Sequence, residues 1–384
     1  VNPLTFEVVA RDPHSRARAG RLHLADGRTV ETPAFMPVGT LAAVKGLDVR
    51  DLEALGVRIL ISNLYHLLLR PGVEVVEALG GIRAFMGNFP GVVATDSGGF
   101  QVYRLGDLRR VSDEGVVFRS PYDGRELSLT PEQVVDLQHR IGSDLWMMLD
   151  EPSAYPVTHA EARRQLMRTH HWAERAREHY DRKPRSGALF GIVQGSVYPD
   201  LREASARFMV SLNFHGYAIG GLALGEPSVE RNRVLDVVVP HLPEDRPRYV
   251  MGVGYPEDLV EAVERGVDLF DCVLPTRNAR KGTLFTREGR INLRNAQYRE
   301  DPRPLDPACD CPVCQRYSRA YLRHLLRAGE PAAPRLLTLH NLHFYLRLME
   351  EMRAAIRDGT FHTWKQTLPR GRWSKEEQHV GPTV

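Results

Sequence analysis

The 384-residue sequence predicts an α/β protein: a (β/α)8 TIM barrel with inserted hairpins and a C-terminal zinc-binding subdomain. Three observations lead there. Eight short β-rich runs follow one another, helical patterns separate most of them, and after the eighth run the alternation breaks at a cluster of three cysteines. Alternation alone would also suit a doubly wound open sheet. The count of eight favours closure.

The elements read as follows. The chain opens with a hairpin pattern, "RLHLA", the turn pair Asp26-Gly27, then "RTVET". The β-rich runs fall at 34–39, 57–62, 91–96, 144–150, 188–195, 216–221, 248–254 and 267–273. Helical patterns between them include "LDVRDLEALG", "GVEVVEALGGIRAF", "TPEQVVDLQHRIG", "YPDLREASARFMVSL" and "YPEDLVEAVERG". Pro131 and Pro256 stand in first turns, each followed by an acid that suits a helix N-terminus. "SPYDGRELSL" reads as a hairpin inserted between the third and fourth strands. Beyond the eighth strand come a basic loop, a hairpin over 283–293 turning near Glu288-Gly289, and the cysteines. Helical stretches follow at "CQRYSRAYLRHLLRAG" and "TLHNLHFYLRLMEEMRAAIRDG", with "PAAPRLLT" as a loop turning the chain back between them. Residues 1–384 read as one barrel domain, with the zinc-binding insert at approximately 277–350 inside it.

Composition removes several classes. Apolar residues make up 42% of the chain, enough for a large core, and the formal net charge is only +3. A nucleic-acid reading must therefore rest on local patches. Four cysteines are too few for a disulfide scaffold of this length, and their clustering suits a reducing compartment. The longest greasy stretch, "VRILISNLYHLLL", is too short and too polar to span a bilayer, and the N-terminus is too charged for a signal peptide. The reading is a cytoplasmic protein without a membrane segment.

Cys309, Cys311 and Cys314 supply three soft ligands at a spacing that suits zinc. The fourth ligand must be a nearby histidine: His324, His340 or His343. His324 lies in a helix leading away, so His340 is preferred, with His343 second because it sits one turn further along. Such a coordination sphere is closed, so the zinc would be structural.

Barrel enzymes gather their chemistry at the C-terminal ends of the strands. Those ends carry Asp96, Asp150-Glu151, Gln194, Gly220-Gly221, Met251 and Asp271-Cys272, with Phe100 close behind Asp96. This gives three or four carboxylates, an amide, a glycine turn and an apolar pair. No histidine cluster accompanies them, which argues against a metal-dependent hydrolase. Paired carboxylates suit acid/base work plus a nucleophile, as in glycosyl chemistry. Each group has a plainer reading: an aspartate at a strand end is often a helix cap, and Cys272 alone is a small buried filler. Their convergence at one end is what carries the argument. Between Arg277 and Arg303 stand eight basic and three acidic residues, directly after Asp271. A charge run is usually just a solvated face; beside a carboxylate mouth it suits phosphate contacts.

Together "ATDSGGFQVY", "LDEP", "GIVQGS", "IGGLALGEP", "VMGVGYPEDL", "FDCVLPTRNARKGTLFT" and "CDCPVC…LHNLHFY" resemble the queuine/archaeosine tRNA-ribosyltransferases, above all the bacterial tRNA-guanine transglycosylase branch. The resemblance covers nearly the whole chain. It implies exchange of guanine at the wobble position of a tRNA with a GUN anticodon for 7-aminomethyl-7-deazaguanine, the queuosine precursor. It implies Asp271 as nucleophile, Asp96 as general acid/base, and Asp150, Gln194 and the Gly221 backbone as readers of the base edge. It further implies Phe100 and Met251 on the two faces of the base, Arg277 and Arg280 in an RNA-gripping loop, and Zn2+ on Cys309, Cys311, Cys314 and His340. A homodimer is implied as well. The chain ends too soon for the extra C-terminal domain of archaeal relatives. Leu224 stands where queuine-accepting members have glycine, which favours the small precursor. Pro152 departs from the cysteine expected after "LDE". The rival readings are a noncatalytic tRNA-binding subunit, which should lack the nucleophile or the base readers, and a carboxylate glycosidase, which would not need the basic segment.

Overall fold

A computed structural model describes residues 2–106, 109–369 and 371–374. Its central sheet is wholly parallel, as helical crossovers between successive strands require. The barrel strands are Ala34–Met36 with Val38–Gly39, Ile59–Asn63, Val92–Asp96, Leu145–Met147, Ala188–Val193, Gly216–Ile219, Arg248–Val250 and Leu269–Asp271. Every predicted run is found. The sheet has nine segments because the first strand is interrupted at Pro37, which has no N–H to give to a ladder. Its first piece pairs with the eighth strand and its second with the second strand. The Pro37 carbonyl still accepts from Ile61 N–H at 3.0 Å, so the eight staves close into a barrel through this one stretch. Strands covered on both faces must be apolar throughout, and these are almost entirely buried.

The N-terminal end of the barrel is capped by an antiparallel sheet of Leu4–Arg11, Arg18–Leu24 and Thr29–Thr32, one strand more than the predicted hairpin. Arg18 fixes it to the barrel. Its guanidinium makes a bidentate bond to buried Asp268, at 3.0 and 2.7 Å, just before the eighth strand. The insert after the third strand is a three-stranded sheet, Arg109–Ser112, Gly115–Arg119 and Glu126–Leu129; the stretch predicted as a hairpin supplies only the turn and the last strand, and the strand it pairs with lies just before it.

Two loop assignments become helices. The segment carrying Arg277 and Arg280 is the helix Leu274–Arg280, and "PAAPRLLT" forms the opening turns of the helix Ala332–Arg357. In both cases a proline, Pro275 or Pro334, lies in the first turn. There the missing N–H would have had no helical partner anyway. Conversely, "GVEVVEALGGIRAF" splits into Val73–Ala78 and Ile82–Phe85, because Gly80 and Gly81 both take positive φ. The C-terminal hairpin pairs Thr283–Thr286 with Gly289–Asn292. It packs with Leu305, Val313, Leu322 and Leu337 in a small core of its own.

Candidate active site and metal centre

Parallel strands bring the predicted carboxylates to one mouth, Asp96 and Asp150 from the adjacent third and fourth strands and Asp271 from the eighth. Asp96 ends the third strand. It accepts from Asn63 Nδ2 at 2.6 Å and from the N–H groups of Leu64 and Gly98 at 3.2 Å each. Burial pushes its pKa up to about 7, and the charges of Asp271 and Asp150 add to the rise. Asp150, after the fourth strand, accepts from Gln194 Nε2 at 2.7 Å and from Ser97 Oγ at 3.2 Å. Burial takes it to about 6, against those two bonds, which favour the charged form. Asp271 ends the eighth strand. Its Oδ1 accepts from the Tyr249 hydroxyl and from Gly252 N–H at 3.0 Å, while Oδ2 has no hydrogen bond among the described residues. Burial raises its pKa too, opposed by the Tyr249 and Gly252 bonds. Tyr249 itself is held far above the ordinary tyrosine range, by burial first and then by the Asp271 charge, so it stays a donor.

Gln194 is 1% exposed, and its Oε1 is buried without a partner. Gly220 and Gly221 lie directly against this amide. A Cβ on Gly221 would sit 2.4 Å from Gln194 Oε1, and its φ of +68° also demands glycine. Phe100 is on the helix Gly99–Tyr103 behind Asp96, 37% exposed, and half-buried Met251 directly follows the seventh strand. The fourth carboxylate considered, Glu151, is turned away to Arg168 at 2.8 Å, so the mouth has three. Cys272 packs against Gly254, and burial pushes its thiol up to about 12, the behaviour of a filler. A cleft of about 840 Å³ lies at the opposite end of the barrel, between the N-terminal sheet and the helix Ala332–Arg357, and shares no residue with the mouth.

Arg277 and Arg280 begin within ten residues of Asp271 on a helix rather than a loop, and neither forms an ion pair among the described residues. Other members of the basic run are neutralised: Arg287 by Glu351 and Arg303 by Asp301.

At the C-terminal cluster, Cys309, Cys311, Cys314 and His340 bring their ligand atoms within 4.8 Å of one another. His340 Nδ1 lies 3.8, 3.6 and 3.3 Å from the three sulfurs. Its Nε2 meets the Phe285 carbonyl at 2.9 Å, which fixes the tautomer and leaves Nδ1 as the coordinating atom. Cys311 N–H and Cys314 N–H point at the preceding sulfurs at 3.4 Å. This donor set fits a tetrahedral metal ion. His343 instead pairs with Asp310 at 2.8 Å.

Sequence reasoning missed Asn63, Ser97, Tyr249 and Gly252. Asn63 lies beside Asp96 on the neighbouring strand, a match of register that the sequence alone does not show.

A barrel whose mouth gathers three carboxylates, Asp150 buried and Asp96 and Asp271 half-buried, with an amide and a glycine turn, defines an enzyme of the carboxylate-assisted transfer class. The family model described as queuine tRNA-ribosyltransferase matches residues 12–373. Proteins named queuine tRNA-ribosyltransferase from Shewanella sp. strain ANA-3 and Shewanella oneidensis are each 52% identical over 357 residues, 93% of this chain and 94% of theirs. One from Thioalkalivibrio sulfidiphilus is 51% identical over 361 residues, 94% of this chain and 96% of its own. The chain belongs to the queuine tRNA-ribosyltransferase family.

Proposed function

We propose that this protein is a tRNA-guanine transglycosylase that exchanges guanine at the anticodon wobble position for 7-aminomethyl-7-deazaguanine. Its substrates are a tRNA with a GUN anticodon and the free base. One observation carries the division of labour. Of the three mouth carboxylates, Asp271 alone has an oxygen free of hydrogen bonds, while its other oxygen is pinned by Tyr249 and Gly252. That is the arrangement of an oriented nucleophile.

Asp271 Oδ2 attacks the ribose anomeric carbon as the bond to guanine breaks, leaving a ribosyl ester. Asp96, with a pKa of about 7, delivers a proton to the departing base. It takes one back from the incoming base as that base attacks the same carbon and frees Asp271. Asp150 accepts from the N–H groups of the base edge, and donors from Gln194 and the Gly221 backbone meet its carbonyl. Phe100 and Met251 cover the two faces. Half-buried Leu224 favours the small precursor over queuine. Arg277 and Arg280 grip the phosphates of a tRNA whose target base has left its stack.

Cys309, Cys311, Cys314 and His340 would hold one zinc ion per chain in a closed, structural role. The insert at approximately 277–350 belongs to a single barrel domain. The protein works as a cytoplasmic homodimer; no helix among the described residues is long and apolar enough to cross a membrane.

Labelled guanine should enter a tRNA bearing a U-G-U anticodon-loop sequence. Absence of incorporation by folded, zinc-loaded protein would overturn the reading in favour of a noncatalytic tRNA-binding subunit.

A further inference from the structure

Gln194 is followed by a turn of costly conformation. Gly195 has φ +128° and Ser196 has φ +53°, the left-handed region that a serine rarely enters. Strain of this kind persists only where the surroundings impose it. The group that imposes it is Arg202, which the helix Pro199–Ser211 turns inward until it is 0% exposed. Its Nε donates to the Ser196 carbonyl at 2.6 Å and its Nη1 to the Val193 carbonyl at 3.0 Å. The two bonds bracket Gln194 on either side.

The third nitrogen, Nη2, is buried and has no acceptor among the described residues. It lies against the other half of the mouth wall: a Cβ built on Gly221 would be 3.6 Å from it. Arg202 forms no ion pair among the described residues, and the Glu226 carboxylate is the charge that offsets its burial. A buried guanidinium held only by carbonyls, with one donor unused, is expensive to keep. A merely structural bracket would not need the spare nitrogen.

We propose that Arg202 is a positioning residue for the base-reading wall, tying the turn that carries Gln194 to the turn that carries Gly221. Its carbonyl bonds set the direction of the Gln194 amide. Its Nη2 is the donor that a carbonyl of the Gly220–Gly221 turn takes up when a base seats against that turn. This rests on the reading of Gln194 and Gly221 as base contacts and extends it to a residue that never touches the base. The base feature it governs is the oxygen at purine position six, because amide and backbone N–H donors facing that position require an acceptor there.

The test compares wild type, Arg202→Gln and Arg202→Lys in steady-state guanine exchange. 2,6-Diaminopurine, which carries an amine at position six, serves as competing base, and melting temperature and tRNA KM are measured alongside. Arg202→Gln is expected to raise the guanine KM roughly tenfold. It should leave the tRNA KM within about twofold and narrow the preference for guanine over 2,6-diaminopurine. Arg202→Lys should fall between, since an ammonium cannot bracket two carbonyls as a guanidinium fork does. If Arg202→Gln does not fold, Arg202→Lys carries the comparison. An unchanged guanine KM in a folded variant, or equal weakening of both bases, overturns the proposal. Should the wild type fail to exchange guanine, equilibrium dialysis of labelled guanine against wild type and Arg202→Lys separates the two ideas. Binding weakened by the substitution supports Arg202 while the exchange reading falls, and absence of binding to wild type sinks both.

Discussion

The mouth and the thiol cluster each gather acidic side chains around a small space, yet they are built to opposite ends. At the thiol cluster four ligand atoms converge within 4.8 Å, and His340 is locked from behind by the Phe285 carbonyl. Nothing is left over, which is how a clamp is made. At the mouth the carboxylates are held apart at the ends of the third, fourth and eighth strands, and each has its own set of donors. Burial raises all three toward or into the range where protons move near neutral pH. Clustered donors with no open position make structure. Separated carboxylates with raised pKa values and one bare oxygen make chemistry.

The strongest way to break this contrast is Asp271→Asn. Removing the nucleophile should cost on the order of 10⁴-fold or more in exchange rate. It should also abolish a denaturation-resistant protein–RNA adduct seen by gel electrophoresis. An adduct that survives would move the nucleophile elsewhere. Next comes Asp96→Asn, expected to lose roughly 10²- to 10⁴-fold, the range for a general acid/base. In the proposed mechanism Asp96 gives its proton to the departing base, so that step should slow as pH rises through about 7 in the wild type. The variant should be slow and flat across the same range. A variant that keeps the wild-type limb shows that another group donates the proton.

Chelation probes the other side. Stripping the metal should loosen the small core around Leu305, Val313, Leu322 and Leu337, read as early proteolytic cleavage in the C-terminal region. Activity should fall only in step with that loosening. Loss of activity with fold and tRNA binding intact would give the metal a part in the reaction.

Much of both regions was legible in the sequence because burial leaves a simple trace. Parallel strands covered on both faces must be apolar runs, so all eight could be counted, and their ends marked the mouth. His340 followed from ligand chemistry and chain direction. Two segments expected to be loops are helical, and each carries a proline, Pro275 or Pro334, in its first turn, where the residue that breaks a helix interior is at home. What stayed hidden was whatever depends on register between strands. Asn63 pairs across to Asp96, and Tyr249 reaches from the seventh strand to Asp271 on the eighth. Their partners are distant in sequence, and no local pattern announces them. The strained turn at Ser196 was equally silent, since its conformation is imposed by a helix that follows it.

The mildest substitution sharpens the contrast most finely. Tyr249→Phe keeps the ring and removes only the hydroxyl bond to Asp271 Oδ1, leaving Gly252 N–H as the remaining donor. Burial already raises the Asp271 pKa, and the Tyr249 bond is the larger of the two interactions opposing that rise. Deleting it must carry the pKa higher still. In the proposed mechanism Asp271 attacks as a carboxylate, so the acid limb of kcat/KM should move upward. A hydrogen bond to a charged group is worth about 1.5–3 kcal/mol, so a loss of roughly tenfold or more is expected on that limb. The deficit should shrink as pH rises above it. A loss of equal size at every pH would mean that the hydroxyl orients the carboxylate without tuning its charge.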